Sequence, residues 1–156
     1  MAAGRTETQI IDEVDGTIGI YGNGTKFISI DGDAKAMHQV DPTAAGGYST
    51  GAGGAVTQIT NAATAVTLNK PCGQITTVAL TTAAAAEEAF VVNNSLVAAT
   101  DVVVVATTYA GGGKPIVFVT NVGAGVFTVN ISNLAAAAAL DAVLVVNFAV
   151  IKAVAA

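Results

Sequence analysis

After position 54, short runs of β-branched and apolar residues recur every eight to twelve residues: Ala55 to Thr60, Ala65 to Leu68, Gln74 to Ala79, Ala89 to Asn93, Asp101 to Thr108, Ile116 to Val122, Val126 to Ile131 and Ala142 to Lys152. In Val126-Phe-Thr-Val-Asn-Ile131, alternation sets Phe127, Val129 and Ile131 on one face of a strand. Val102-Val-Val-Val105 is apolar at every position, the pattern of a strand covered on both sides, within a sandwich or against another subunit. Eight such runs separated by turn signals predict an all-β, jelly-roll-like β-sandwich.

Helix competes with this reading in two places. Ala, Val, Thr and Gly together supply 90 of the 156 residues. The alanine-rich tracts Thr81 to Ala89 and Leu134 to Ala142 have the residue best suited to helices. Each is only nine residues long and lies between strong strand signals, so both are expected to be loops or single turns.

Charge divides the chain. Residues 1 to 41 hold Glu7, Asp12, Glu13, Asp15, Asp31, Asp33 and Asp41 with Arg5, Lys26 and Lys35, ten of the seventeen charges. Pro42 to Gly54 carries five glycines and no large aliphatic side chain, which marks a linker. Upstream, Thr17-Ile-Gly-Ile-Tyr21 and Lys26-Phe-Ile-Ser-Ile30 flank an Asn-Gly pair suited to a tight turn, predicting a small hairpin. The expected organisation is therefore an acidic, extended N-terminal arm with a hairpin (1–41), a Gly-rich linker (42–53) and a β-sandwich domain (54–156).

Several classes of function are disfavoured. One cysteine excludes an internal disulfide framework and Cys-rich zinc modules. Six basic against eleven acidic residues, a net charge of -5, leave no basic footprint for nucleic acid. The most apolar stretch, Leu134 to Ile151, contains Asp141 and Asn147, and an Asp at mid-span costs about 2.5–3.5 kcal/mol on insertion, so no membrane segment is expected. The first residues lack the apolar core of a signal peptide, and synthesis in a cytoplasm is expected.

The chemistry-bearing residues read as structural, and neither catalysis nor a cofactor is expected. Cys72 has no base nearby in sequence, and the single histidine, His38, lies across the linker; a buried structural thiol and an ordinary loop or interface imidazole are expected. Neighbouring Glu87 and Glu88 point to opposite faces of a strand and cannot by themselves flank one glycosidic bond. Asp31-Gly-Asp33 begins like a calcium loop but continues with Lys35, Met37 and Gln39 and no terminal acid. Gly111-Gly-Gly113 precedes a strand where a phosphate loop precedes a helix, so it reads as a turn. The sequons at Asn23, Asn93 and Asn130 follow from the abundance of Thr and Ser.

Five segments carry a resemblance. These are Val56-Thr-Gln-Ile-Thr60, Val66-Thr-Leu-Asn-Lys-Pro-Cys-Gly-Gln-Ile-Thr-Thr77, Phe90-Val-Val-Asn-Asn-Ser95, Thr100-Asp-Val-Val-Val-Val105 and Val145-Val-Asn-Phe-Ala-Val-Ile-Lys152. Together they resemble a β-domain of tailed-bacteriophage structural proteins over residues 54 to 152, with Asn69 to Gln74 the most specific element. The resemblance implies a virion protein made in the bacterial cytoplasm. The first reading is a decoration, or cement, protein on the outer capsid: a homotrimer that binds the major capsid protein and stabilises the mature head. The alternative is a receptor-binding fibre or adhesin domain that recognises host glycan. With no Trp, and Tyr only at 21, 48 and 109, few aromatic platforms for sugar are available, which favours decoration. The expected capsid contacts are the apolar positions of the arm, Ile10, Ile11, Val14, Ile18, Ile20, Phe27, Ile28 and Ile30, too few for a core but enough to bury against another subunit.

Overall fold

The computed structural model describes residues 8–12, 17–22, 25–31, 36–39, 47–48 and 51–154. Two compact units divide between Gly47 and Tyr48, inside the glycine-rich segment.

The first unit contains four strands, β1 (Thr8–Asp12), β2 (Thr17–Gly22), β3 (Thr25–Asp31) and β4 (Ala36–Gln39). They form an antiparallel meander in chain order. The hairpin expected from the sequence is its β2–β3 centre, with a register shift between Ile20 and Tyr21. Flanking strands β1 and β4 were not anticipated. At least half the residues of Thr8-Gln-Ile-Ile-Asp12 and of Ala36-Met-His-Gln39 are polar, so pairing with neighbouring strands, rather than local pattern, defines them.

The second unit is an all-β sandwich. Its strands are β5 (Gly53–Thr57), β6 (Val66–Thr67), β7 (Cys72–Ala79), β8 (Glu87–Asn93), β9 (Val102–Tyr109), β10 (Pro115–Gly123), β11 (Val126–Asn133) and β12 (Val143–Ile151). All eight runs expected from the sequence are strands. One sheet has the order β5-β7-β12-β9 and the other β10-β11-β8-β6. Of the seven connections between successive strands, only β10–β11 joins neighbours in one sheet; the rest cross between sheets. That crossing makes the edge pairs β5·β7 and β6·β8 parallel, within a jelly-roll-like layout of two four-stranded sheets.

Alternation fills the space between the sheets. Phe90 and Val92 of β8 and Phe127, Val129 and Ile131 of β11 meet Ile75 of β7 and Leu144, Val146, Phe148 and Val150 of β12. The Phe127 and Phe148 rings, one from each sheet, lie 5.3 Å apart at 55°. Each fully buried side chain of this size contributes roughly 1.5–3 kcal/mol by leaving water, so these strands cannot slip by one residue without losing their entire set.

Neither alanine tract is helical: residues 81–86 and 134–142 are irregular, and the first tract ends in β8. They lie together at one end of the sandwich, where Leu80 and Leu140 close the core. Leu140 N–H donates to Thr82 O (2.9 Å), and Ala85 N–H donates to Asn133 O (3.1 Å). Ala85 has a φ of 57°, a left-handed conformation that interrupts any helix. Asn133, at the end of β11, organises this end. Its Nδ2 donates to Thr82 O (3.1 Å), Ala83 O (3.1 Å) and Ala138 O (2.8 Å), while its Oδ1 accepts from the N–H groups of Lys114 and Ala135 (both 3.1 Å). One buried amide thus satisfies backbone groups that a helix would have paired internally.

Replacing Asn133 by Ala strands these groups out of water. Urea denaturation should register a loss of roughly 2–4 kcal/mol for Asn133→Ala, against a change within about 0.5 kcal/mol for Asn121→Ala on the exposed side of β10.

Candidate functional site

The four carboxylates of the sandwich all accept hydrogen bonds from their own unit. Glu87 and Glu88, on opposite faces of β8 as their spacing requires, accept from the Ser132 and Thr82 hydroxyls. Asp141 accepts from Gly112 N–H (2.6 Å), and its own N–H donates to the Tyr109 hydroxyl (2.8 Å), which donates in turn to Gly112 O (2.7 Å). A Cβ on Gly111 would lie 2.4 Å from both Asp141 Oδ1 and the Tyr109 hydroxyl oxygen, so Gly111-Gly-Gly113 is a turn packed on these groups.

Asp101 has the most developed environment. Ala98 N–H donates to its Oδ2 (2.8 Å), Lys152 Nζ lies 2.5 Å from the same oxygen, and Ala153 N–H reaches Oδ1 at 3.3 Å. The Ala98 N–H and then the Lys152 ammonium hold this carboxyl below its ordinary value, against the opposing effect of burial. The Lys152 side chain is 65% exposed, so solvent screens the ion pair and the bonds from backbone carry more of the effect. Lys152 also donates to Leu96 O (2.8 Å), tying the C-terminal end of β12 to the turn before β9.

The element Asn69 to Gln74 is a corner leading from β6 into β7. Asn94 Nδ2 donates to Lys70 O (2.7 Å), Ser95 N–H donates to Asn69 Oδ1 (2.8 Å), and Val150 N–H donates to Pro71 O (2.8 Å). A groove of about 510 Å³ opens beside this corner, lined by Tyr48, Pro71, Ser95, Leu96, Val150 and Lys152. Its wall is mostly apolar, and the Tyr48 hydroxyl donates to Val150 O (2.6 Å). Cys72 begins β7 and is half-buried rather than buried, because its strand partner on one side, Gly53, offers no side chain to cover it. Among the described residues, no three His, Cys, Asp or Glu side chains are grouped to hold a metal ion. Leu134 to Ile151 is a loop followed by β12, and no helix among the described residues is long and apolar enough to cross a membrane.

The expected arm contacts are partly brought together. Strand register places Ile10 opposite Ile20 and Ile20 opposite Ile28, a cross-strand row of three isoleucines. Ile18 pairs with Ile30 in the adjacent row. Ile10 is 73% exposed and Ile18 39%. Ile11 pairs instead with Gly19, one position out of that row, and Phe27 sits at the register shift. Val14 lies outside the described residues, as do Gly32 and Asp33 of the Asp31-Gly-Asp33 motif. His38 is opposite Ser29 in the β3–β4 ladder.

A second surface was only half visible in the sequence. Val103 and Val105 pack toward the core, while Val102 and Val104 are 51% and 48% exposed on the outer side of β9. The all-apolar run is therefore covered on one side within the chain. Comparisons with protein-family models, curated proteins and solved structures found no match to this chain.

The depressed acidity of Asp101 fixes a pH dependence. Stability from its bonds is fully present above the ordinary carboxyl value of 3.8 and is lost as pH falls through the lower folded-state value, because the unfolded chain takes up the proton first. Asp101→Asn should flatten the fall of the urea midpoint with acidification in that window, whereas an unchanged slope would remove Asp101 from the acid response.

Proposed function

We propose that this chain is a decoration protein of a tailed-bacteriophage head, made in the host cytoplasm, that acts by binding the major capsid protein on the outer lattice and stabilises the mature shell. The observation that carries the reading is the chemistry left on the outside. The sandwich's carboxylates are engaged in hydrogen bonds within the unit, while apolar side chains stand exposed on its sheets and in the isoleucine row of the N-terminal sheet. Such a surface is suited to docking rather than to proton transfer or cofactor chemistry. The phage resemblance over residues 54 to 152 supports a virion structural protein, the scarcity of aromatic platforms for sugar favours decoration of the head over adhesion, and a threefold oligomer is part of the same proposal.

Binding only to the expanded lattice stabilises that state by mass action. Three linked copies engage several capsid sites at once, so each contact need be only modest. The isoleucine row is the proposed anchor, and acidic Glu7, Asp12, Glu13 and Asp15, near Ile10 in sequence, steer it toward a basic capsid patch.

The test is saturable binding of the full chain to purified heads from which it has been stripped. Ile10→Glu should weaken that binding by on the order of 10-fold or more, with unfolding of the sandwich unchanged, and raising salt should slow association. Equal head binding by wild type and Ile10→Glu would remove the anchor. Binding to host-cell glycan but not to heads, lost in Tyr48→Ala, would favour the adhesin reading and place its site in the groove beside Pro71.

A further inference from the structure

The outer face of the β5-β7-β12-β9 sheet carries no charged residue. Strand register sets its residues in rows: Thr57, Thr76, Val145 and Thr108; Ala55, Gln74, Asn147 and Ala106; Gly53, Cys72, Ala149 and Val104. Ile151 and Val102 extend the face at one end and Val143 at the other, each about half exposed. The unit's seven ionisable Asp, Glu and Lys side chains all belong to its other sheet or to its loops and ends.

We infer that copies of this chain meet one another through this face, each turning the same sheet toward its neighbour. Three features select a second copy of the chain as the occupant. When like faces meet, the same set of side chains lies on both sides, so a charged face would meet its own sign, and this face has no charge to repel. The polar centre is also self-compatible: Gln74 Nε2 donates to Asn147 Oδ1 (3.1 Å), and a pair of amides keeps both donors and acceptors to offer an identical pair. The face also has relief of both kinds, a shallow depression of about 260 Å³ over Val104, Ala106, Asn147 and Ala149 and the half-exposed side chains of Val102 and Val104 on the outer side of β9. Four strands about 4.8 Å apart and roughly eight residues long give a face of roughly 500 Å² in projection, so two faces together bury about 1,000 Å², where specific interfaces begin.

This inference goes beyond the decoration reading and stands independently of any capsid: like faces meeting in pairs give a twofold contact, distinct from the threefold association proposed above. Sedimentation of the full chain at micromolar concentration should reveal a species of more than one chain. Val104→Lys should raise its dissociation constant on the order of 100-fold by burying an unpaired ammonium, with the β-type circular dichroism retained because Val104 is exposed in the single chain. Ile116→Lys, equally exposed on the opposite sheet, should leave association unchanged. A monomeric wild type, or Val104→Lys and Ile116→Lys variants that associate alike, would overturn the inference. A monomer that still binds heads would do so while leaving the head-binding part of the decoration reading intact; an oligomer that ignores heads would overturn that reading and leave this inference standing.

Discussion

The sandwich depends on contact between its two inner sheet faces, centred on Phe127 and Phe148. Because six of seven connections cross from one sheet to the other, neither sheet can assemble from neighbouring segments alone. Even the central pairs join distant residues, as when Phe148 lies opposite Gly73 and Val105. Burial between the sheets is therefore what makes their internal hydrogen bonding possible. A Cβ on Gly73 would come within 2.6 Å of Leu68 and 3.1 Å of Phe148, so the small residue there lets the corner sit against the aromatic centre.

Polar side chains complete what apolar packing leaves open at the ends. Asn133 serves the two alanine tracts, Asn94 the Asn69 to Gln74 corner, Asp101 the end of β12, and Asp141 the glycine turn. Each is held by backbone partners rather than by a second charge, with Lys152 the exception. The buried amides are more than decoration of the loops: without them, carbonyl groups of chain segments poor in large side chains would be both dry and unpaired. The consequence is a sandwich whose four carboxylates are engaged in hydrogen bonds within their own unit, and whose sheets leave apolar side chains exposed.

The N-terminal sheet follows a different logic. Its four strands pair in chain order, so each connection is local, and the row Ile10, Ile20, Ile28 arises directly from successive antiparallel registers. With Ile10 73% exposed at one end, such a row is surface rather than core.

Strand number and position were legible in residues 54 to 152 because period-two patterning and turn residues act locally, and the inward set Phe127, Val129 and Ile131 could be read from alternation alone. The brevity of the alanine tracts likewise argued against helix. What decided their actual course was tertiary: Asn133 bonds to both tracts at once, and an Asn at the end of a strand-like run carries no local sign of that role. Which face of Val102 to Val105 is covered is set by the register of β9 against β12, where Val103 and Val105 lie opposite the inward Val150 and Phe148, and no pattern of four valines encodes that. The uncharged outer face likewise exists only once register has aligned residues from four separate segments. Composition determined that the chain would be a β protein with little charge to display; long-range pairing, forced by burial between two sheets, determined where that uncharged surface lies.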